Sequence, residues 1–427
     1  MEIALVPAPR PPDATVRVVG SKSLTNRALL LAALADGVSH LDNCLVADDS
    51  RAMVECLRGL GVSVMLDESR RVAEVCGCGG QWPASAARLE CGAAGTVARF
   101  LLAAACVGAG EYELDGGPRL RERPIAPLVD ALRGLGARIE SPRNAEALPL
   151  RVMARGLRGG TAFFDHAESS QFVSAILMAA PLARGDVLIE LEGPLVSRPY
   201  VEMTLALLRH HGAAALGHAG RKFIVPGMQR YAPRRLAIEP DASAASYFLA
   251  AAAICGGRVC VAGLGSGTLQ GDLGFVRVLE RMGCGVEQSA DATAVIGPRD
   301  GWLTGVDVTL VDMPDVAPTL AVAALFAAGP TRIRGVANLR VKECDRLAAL
   351  AAELGKLGAA VDVHADGLTI DPPAAPRAAA IDTHDDHRMA MSFALAGLRL
   401  PGVVLRGVEC VSKSYPGFFD DWRQLTG

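Results

Sequence analysis

The chain has 427 residues, 51% hydrophobic but only 4% aromatic, so its cores must be packed from Ala, Leu and Val rather than large rings. Its net charge of −3 excludes a general nucleic-acid binder, while leaving room for a local cationic pocket. No apolar run approaches the ~20 residues of a membrane span, and no basic stretch leads into an apolar one at the start, so a cytoplasmic protein is expected. The eleven cysteines form no CxxC pair or Cys/His ligand spacing, which predicts small buried hydrophobes in a reducing compartment and no metal site.

From the first residues onward, the elements recur. An alternating segment at 15–19 reads as a strand. An Ala/Leu-rich helix then runs to Gly37, and similar helices run to Gly110, Gly185, Gly257, Gly329 and Gly402, at spacings of 73, 75, 72, 72 and 73. A second marker, of the form LRGLGVSV, sits at Gly61, Gly136, Gly212, Gly283 and Gly358, spaced 75, 76, 71 and 75. Each unit reads as helix, glycine stop, strand, second helix, glycine stop and strand, an α/β pattern. The sixth unit is cut short at Gly427, and residues 1–19 are expected to complete it. Six units divide into two groups of three, giving one domain at 21–239 and a discontinuous one at 1–20 plus 240–427. A stacked solenoid is the simpler alternative for any repeat.

The first helix of each unit is preceded by unusual residues. They are Gly20-Ser21-Lys22-Ser23, Ala94-Gly95-Thr96, Ser169-Ser170-Gln171, Asp241-Ala242-Ser243, Pro314-Asp315 and Asp385-Asp386-His387-Arg388. Ser, Thr and Asp are ordinary helix caps. Several of these starts add Lys, Arg or Gly, however, and a helix N-terminus with its free N–H groups and positive dipole end binds phosphate or carboxylate. Helix starts gathered in a cleft between two domains would trap anions. Only five of the 43 basic residues are lysines, and three of those lie in candidate motifs: Lys22, Lys342 and Lys413. In a chain that otherwise uses arginine, this suggests a need for compact, movable ammonium groups. GSKS is not a Walker A loop, because Ser21 precedes Lys22 and residues 13–19 contain no glycine.

The motifs GSKSLTNR (20–27), AAGTVAR (93–99), RERPI (121–125), SSQF (169–172), SRPY (197–200), EPDASAASYFLAAAA (239–253), MPD (313–315), NLRVKECDRL (338–347), DDHRMAM (385–391) and SKSYP (412–416) follow in order. Together they resemble the 5-enolpyruvylshikimate-3-phosphate synthase family over the whole chain. The resemblance implies a two-domain enolpyruvyl transferase fold, an inside-out α/β barrel of six βαβαββ-type units, three per domain. It implies transfer of the enolpyruvyl group of phosphoenolpyruvate to the 5-hydroxyl of shikimate 3-phosphate, without metal or organic cofactor, by a monomer that is the target of glyphosate.

By the same resemblance, shikimate 3-phosphate would be held by Lys22, Ser23, Arg27, Ser169, Ser170, Gln171, Ser197, Tyr200, Asp315, Asn338 and Lys342. Phosphoenolpyruvate would be held by Lys22, Gly95, Arg123, Gln171, Arg346, Arg388 and Lys413, with the two C-terminal arginines clamping its carboxylate. Asp315, Glu343 and Lys22 are the implied catalytic groups. Glu343 lies between Lys342 and Arg346, which favours its ionised form and weakens its assignment as the acid. Two positions depart from the family pattern: Ala93 replaces an asparagine, and Phe100 follows Arg99 where proline is common. Both are expected on the phosphoenolpyruvate loop and its helix, with weaker binding or an altered glyphosate response as the consequence. Cys344 replaces a common threonine. The related UDP-N-acetylglucosamine enolpyruvyl transferases use a different first motif and a cysteine loop. A transferase for another acceptor and a non-catalytic anion-binding paralogue are the remaining alternatives.

Overall fold

In the computed structural model, which describes residues 1–142, 147–165, 169–218 and 220–425, helices alternate with small mixed sheets. Contacts divide the chain into two units. One is Gly20–Ile238, and the other joins Met1–Val19 to Glu239–Gly427.

The second glycine marker is a helix stop in all five places. The helix Asp48–Gly59 is followed by Gly61 at φ 87°, whose N–H reaches Arg58 O at 2.9 Å while Val62 N reaches Leu57 O at 3.0 Å. Two such bonds define a Schellman cap, which needs a left-handed residue and so favours glycine. The same pair recurs at Gly136, Gly212, Gly283 and Gly358, for example Gly358 N to Gly355 O at 3.0 Å with Ala359 N to Leu354 O at 3.2 Å.

The first marker behaves differently from expectation. Gly37 is not a cap: the helix Lys22–Leu34 ends at an extended Ala35, and Gly37 lies inside strand Asp36–Asp42. Gly110 likewise lies inside strand Ala109–Asp115. At Gly37 a Cβ would approach Pro233 Cγ at 3.2 Å, so close packing joins the left-handed φ of 127° in demanding glycine. Only the fourth helix, Ala242–Cys255, ends in a left-handed glycine cap, at Gly256 rather than Gly257.

In the unit Gly20–Ile238, three four-stranded sheets share one pattern: a parallel pair, then two antiparallel neighbours. In the other unit, the N-terminal segment splits between two sheets. Glu2–Ala4 pairs antiparallel with Val404–Arg406, while Asp13–Val16 pairs parallel with Arg258–Ala262. The segment therefore does not serve the last sheet alone. Its second strand is also shifted to 13–16 from the alternating 15–19.

Each unit has its own apolar core. The first-marker helices are buried almost all round, from Leu24 to Leu34, Gly95 to Ala105 and Ala242 to Ile254, which is why they read as Ala/Leu without a polar face. Each fully buried Leu contributes about 1.5–3 kcal/mol. The second-marker helices, such as Arg346–Lys356, keep a solvent face. Among the described residues, no helix is long and apolar enough to cross a membrane. Six cysteines are buried as expected, but Cys76 is exposed on strand Val72–Cys78.

Candidate active site

In the unit Gly20–Ile238, three helix starts carry the expected residues. Ser21 caps the helix Lys22–Leu34, and Lys22 Nζ lies 3.2 Å from the buried carboxylate of Asp49. Ser23 follows on the first turn, half-buried. One turn on, Arg27 is 1% exposed and bonded to protein. Its Nε donates to Thr204 Oγ1 at 2.7 Å, Nη1 to Ser23 O at 3.0 Å, and Nη2 to Ser174 Oγ and Tyr200 O, both at 3.2 Å. Burial lowers its pKa to about 10, partly offset by Tyr200, so it stays charged near neutrality. Arg27 thus ties its own helix to helices Ser170–Ala179 and Arg198–His210.

The helix Gly95–Ala105 begins without a side-chain cap. A Cβ on Gly95 would lie 2.9 Å from Arg99 Nη1 and 3.0 Å from Arg123 Cζ, so the glycine backs directly onto two guanidinium groups. Arg99 donates to Gln171 Oε1 at 2.6 Å and Pro124 O at 2.8 Å, with its guanidinium over the Phe172 ring. Thr96 accepts from Asn26 Nδ2 at 3.0 Å. Gly95, Arg99, Arg123 and Gln171 therefore form one cationic cluster.

Ser169 caps the next helix by accepting from Gln171 N, and Ser170 is buried beside it. Ser197 holds φ 53°, ψ 43° at the start of helix Arg198–His210 and makes no capping bond. A non-glycine residue in that region is strained, a feature that gathers at functional sites. Tyr200 follows on the first turn, half-buried.

In the other unit, four cations surround two carboxylates. Asp315 takes Arg388 Nη2 at 2.8 Å and Arg346 Nη1 at 3.2 Å, with Lys342 Nζ at 3.7 Å. Glu343 takes Arg346 Nη2 at 2.8 Å and has Lys413 Nζ at 3.8 Å. Arg346 is 1% exposed and also grips Asp386, Nε to Oδ2 at 2.7 Å. Burial pulls its pKa down, but Asp386, Glu343 and Asp315 outweigh that and hold it above the usual value. Asp386 in turn caps helix His387–Arg399 through Arg388 N at 2.9 Å. Asp315 is not a cap: the helix Ala317–Ala323 has no side-chain cap, and the carboxylate goes to the arginines. Beside them, burial pushes the Tyr247 hydroxyl up to about 12, against the pull of Arg388 and Arg346. Asn338 Oδ1 is buried with no hydrogen-bond partner among the described residues, an open acceptor in the turn Ala337–Val341. Asp241 caps its helix through Ala244 N at 2.8 Å.

The departures find separate places. Ala93 is exposed in the loop before Gly95. Phe100 is fully buried with Arg27 over its ring at 4.9 Å, so it supports Arg27 rather than facing the Gly95 loop. The Cys344 thiol lies 3.6 Å from Asp386 Oδ2, and burial with that carboxylate raises its pKa. Three residues that bond the candidate site residues carry no assignment from sequence: Asp49, Arg99 and Asp386. Arg99 had a signal, as a lone cation in the apolar run VARFLLAAA, and Asp386 lay within a quoted motif. Asp49 had none, since an acid in the first turn of a helix is ordinary.

In each α/β unit, helix starts bearing hydroxyls, glycine or cations suit the binding of small anions. The model of the EPSP synthase (3-phosphoshikimate 1-carboxyvinyltransferase) family matches residues 6–422, and the chain belongs to that family. It is 47% identical over 413 residues to the 3-phosphoshikimate 1-carboxyvinyltransferase of Vibrio atlanticus, covering 96% of each chain. It is 45% identical over 421 residues to that of Nostoc sp., covering 98% of each. The solved EPSP synthase of Acinetobacter baumannii superposes with a TM-score of 0.83 at 27% identity, over 100% of this chain and 98% of that one. The enolpyruvyl transferase NikO of Streptomyces tendae shares the fold, with a TM-score of 0.80 at 20% identity over 99% and 97% of the chains.

Proposed function

We infer that this chain transfers the enolpyruvyl group of phosphoenolpyruvate to the 5-hydroxyl of shikimate 3-phosphate and releases phosphate. The supporting observation is the pair Asp315 and Glu343, two carboxylates held among Arg346, Arg388, Lys342 and Lys413. Both substrates carry a phosphate and a carboxylate, so binding needs cations, and proton transfer needs carboxylates within the same field.

The reaction is an addition followed by an elimination. The 5-hydroxyl attacks C2 of phosphoenolpyruvate as C3 gains a proton, and phosphate then leaves as the new methyl group loses one. In this reading Asp315 and Glu343 handle the hydroxyl and methyl protons, and Lys22 neutralises charge on the transferred phosphate. Arg346 and Arg388 exchange their bonds to Asp315 for the carboxylate of phosphoenolpyruvate, a pairing suited to the guanidinium fork. Gly95, Arg123, Gln171 and Lys413 hold the rest of that substrate. Ser23, Arg27, Ser169, Ser170, Ser197, Tyr200, Asn338 and Lys342 hold shikimate 3-phosphate, with Lys22, Gln171 and Asp315 touching it as well.

The unit Gly20–Ile238 then serves mainly shikimate 3-phosphate. Asp315, Glu343 and the carboxylate clamp belong to the unit completed by Met1–Val19. The reading includes a monomer working in the cytoplasm, checked by sedimentation of the purified chain and by fractionation of cells. Mixing the enzyme with both substrates must release phosphate; binding without release, or no binding of shikimate 3-phosphate, would contradict the assignment.

A further inference from the structure

Strand Ala380–Asp382 leads into helix His387–Arg399 through a turn in which His384 and Asp385 both hold φ 53°. Two consecutive left-handed residues with side chains persist only where neighbouring groups hold them. Asp386 and Arg388 follow at once, so this turn sets the direction of the helix start.

The holding groups come from one helix, Arg346–Lys356. Its first residue grips Asp386 through Arg346 Nε at 2.7 Å. Glu353 lies seven residues later, two turns along on the same face. It is 1% exposed, and its carboxylate accepts from Asp382 N at 3.0 Å and from His384 Nε2–H at 2.9 Å. Lys356 Nζ lies 2.7 Å from Glu353 and 2.9 Å from Asp382. Thr383 fixes the other side of the turn, donating to Gly407 O at 2.9 Å. A carboxylate this buried is costly unless fully bonded, and among the described residues Glu353 bonds this turn and Lys356, which itself binds the turn. Transfer chemistry gives Glu353 no other task.

We propose that Glu353, acting through His384, is a positioning residue for Arg388: it holds the left-handed turn that aims Arg388 at the carboxylate of phosphoenolpyruvate. The inference rests on Arg388 being part of that clamp, so the test begins with Arg388→Lys, which must raise KM for phosphoenolpyruvate. An unchanged KM there overturns the clamp and this inference together.

With the clamp established, Glu353→Gln is expected to raise KM for phosphoenolpyruvate about tenfold, as partial misplacement of a positioning group does, with KM for shikimate 3-phosphate nearly unchanged. His384→Ala, at an exposed position, gives the same selective rise in smaller measure. His384→Gln keeps a side-chain donor and restores the affinity. These two variants carry the test if Glu353→Gln does not fold. An unchanged KM for phosphoenolpyruvate in the folded variants overturns the proposal. So does an equal rise for both substrates in step with a fall in Tm, because that is a merely structural role.

Discussion

Arg388 donates to Asp315 across 73 residues of chain, Nη2 to Oδ2 at 2.8 Å. The residue expected to clamp a substrate carboxylate and the residue expected to handle a proton are therefore bonded to each other. Arg346 holds the second oxygen of the same carboxylate at 3.2 Å. Asp315 thus bonds the same two guanidinium groups that the proposed function assigns to the carboxylate of phosphoenolpyruvate. Under that proposal, binding exchanges one carboxylate for another rather than desolvating bare cations.

Replacing Asp315 by Asn keeps the shape but removes the proton acceptor and the charge. The turnover number should fall about 10²- to 10⁴-fold, the usual share of general acid–base catalysis. KM for phosphoenolpyruvate should fall or hold steady, because the competing carboxylate is gone. Steady-state kinetics with both substrates measure this, and a large rise in that KM with normal turnover would place Asp315 in binding alone.

Gly95→Ala tests the cationic cluster of the other unit. The added Cβ meets Arg99 and Arg123 at 2.9 and 3.0 Å, so the guanidinium groups must shift. KM for phosphoenolpyruvate should rise about tenfold or more, while that for shikimate 3-phosphate changes little. Equal effects on both substrates would remove Gly95 from the phosphoenolpyruvate subsite.

Ala93→Asn introduces the amide that the family resemblance leads one to expect at this position. A hydrogen bond regained is worth about 0.5–1.5 kcal/mol, so affinity for phosphoenolpyruvate should improve roughly two- to tenfold and the response to glyphosate should shift. Isothermal titration before and after the substitution reads this directly. No change would show that exposed Ala93 has no effect on binding.

His211 gives a pH dependence with a definite sign. Burial pushes its pKa down to about 4, with help from His210 and Arg234, against a hydrogen bond to Ala232 O. Nε2 is buried without a hydrogen-bond partner among the described residues, so the neutral ring with Nδ1–H donating to Ala232 O is the folded form. An unfolded histidine titrates near 6.5. Between about pH 6.5 and 4 the unfolded chain binds the extra proton, so stability falls as pH drops through that window, by on the order of 2–3 kcal/mol. Denaturant titrations at pH 7.5 and 4.5 should show this loss, and His211→Phe should flatten it. An equal loss in the variant would assign the effect to other groups.

Legibility differed between fold and site for physical reasons. The Schellman glycines were readable because a left-handed cap after an amphipathic helix leaves a local Leu-Gly signature. The first-marker glycines misled because the same residue serves a close sheet crossing, as where Gly37 meets Pro233, and that depends on distant chain. Likewise, the split of residues 1–19 between two sheets is a tertiary matter. At the site, motif order pointed to Lys22, Gly95, Asp315, Arg346 and Arg388, which lie at helix starts or in tight turns. Asp49 and the engagement of Arg27 by Thr204, Ser174 and Tyr200 were invisible, because those bonds cross between separate helices and only the folded chain brings the partners together.

The most direct measurement follows the product and the phosphate together. Wild-type enzyme and Asp315→Asn are each mixed with shikimate 3-phosphate and phosphoenolpyruvate, and the quenched mixtures are read by mass spectrometry. The account predicts that wild type adds one carboxyvinyl group to each acceptor for every phosphate released, and that the variant does so far more slowly. Phosphate released without any gain of mass by shikimate 3-phosphate, or equal rates for the two enzymes, would contradict it.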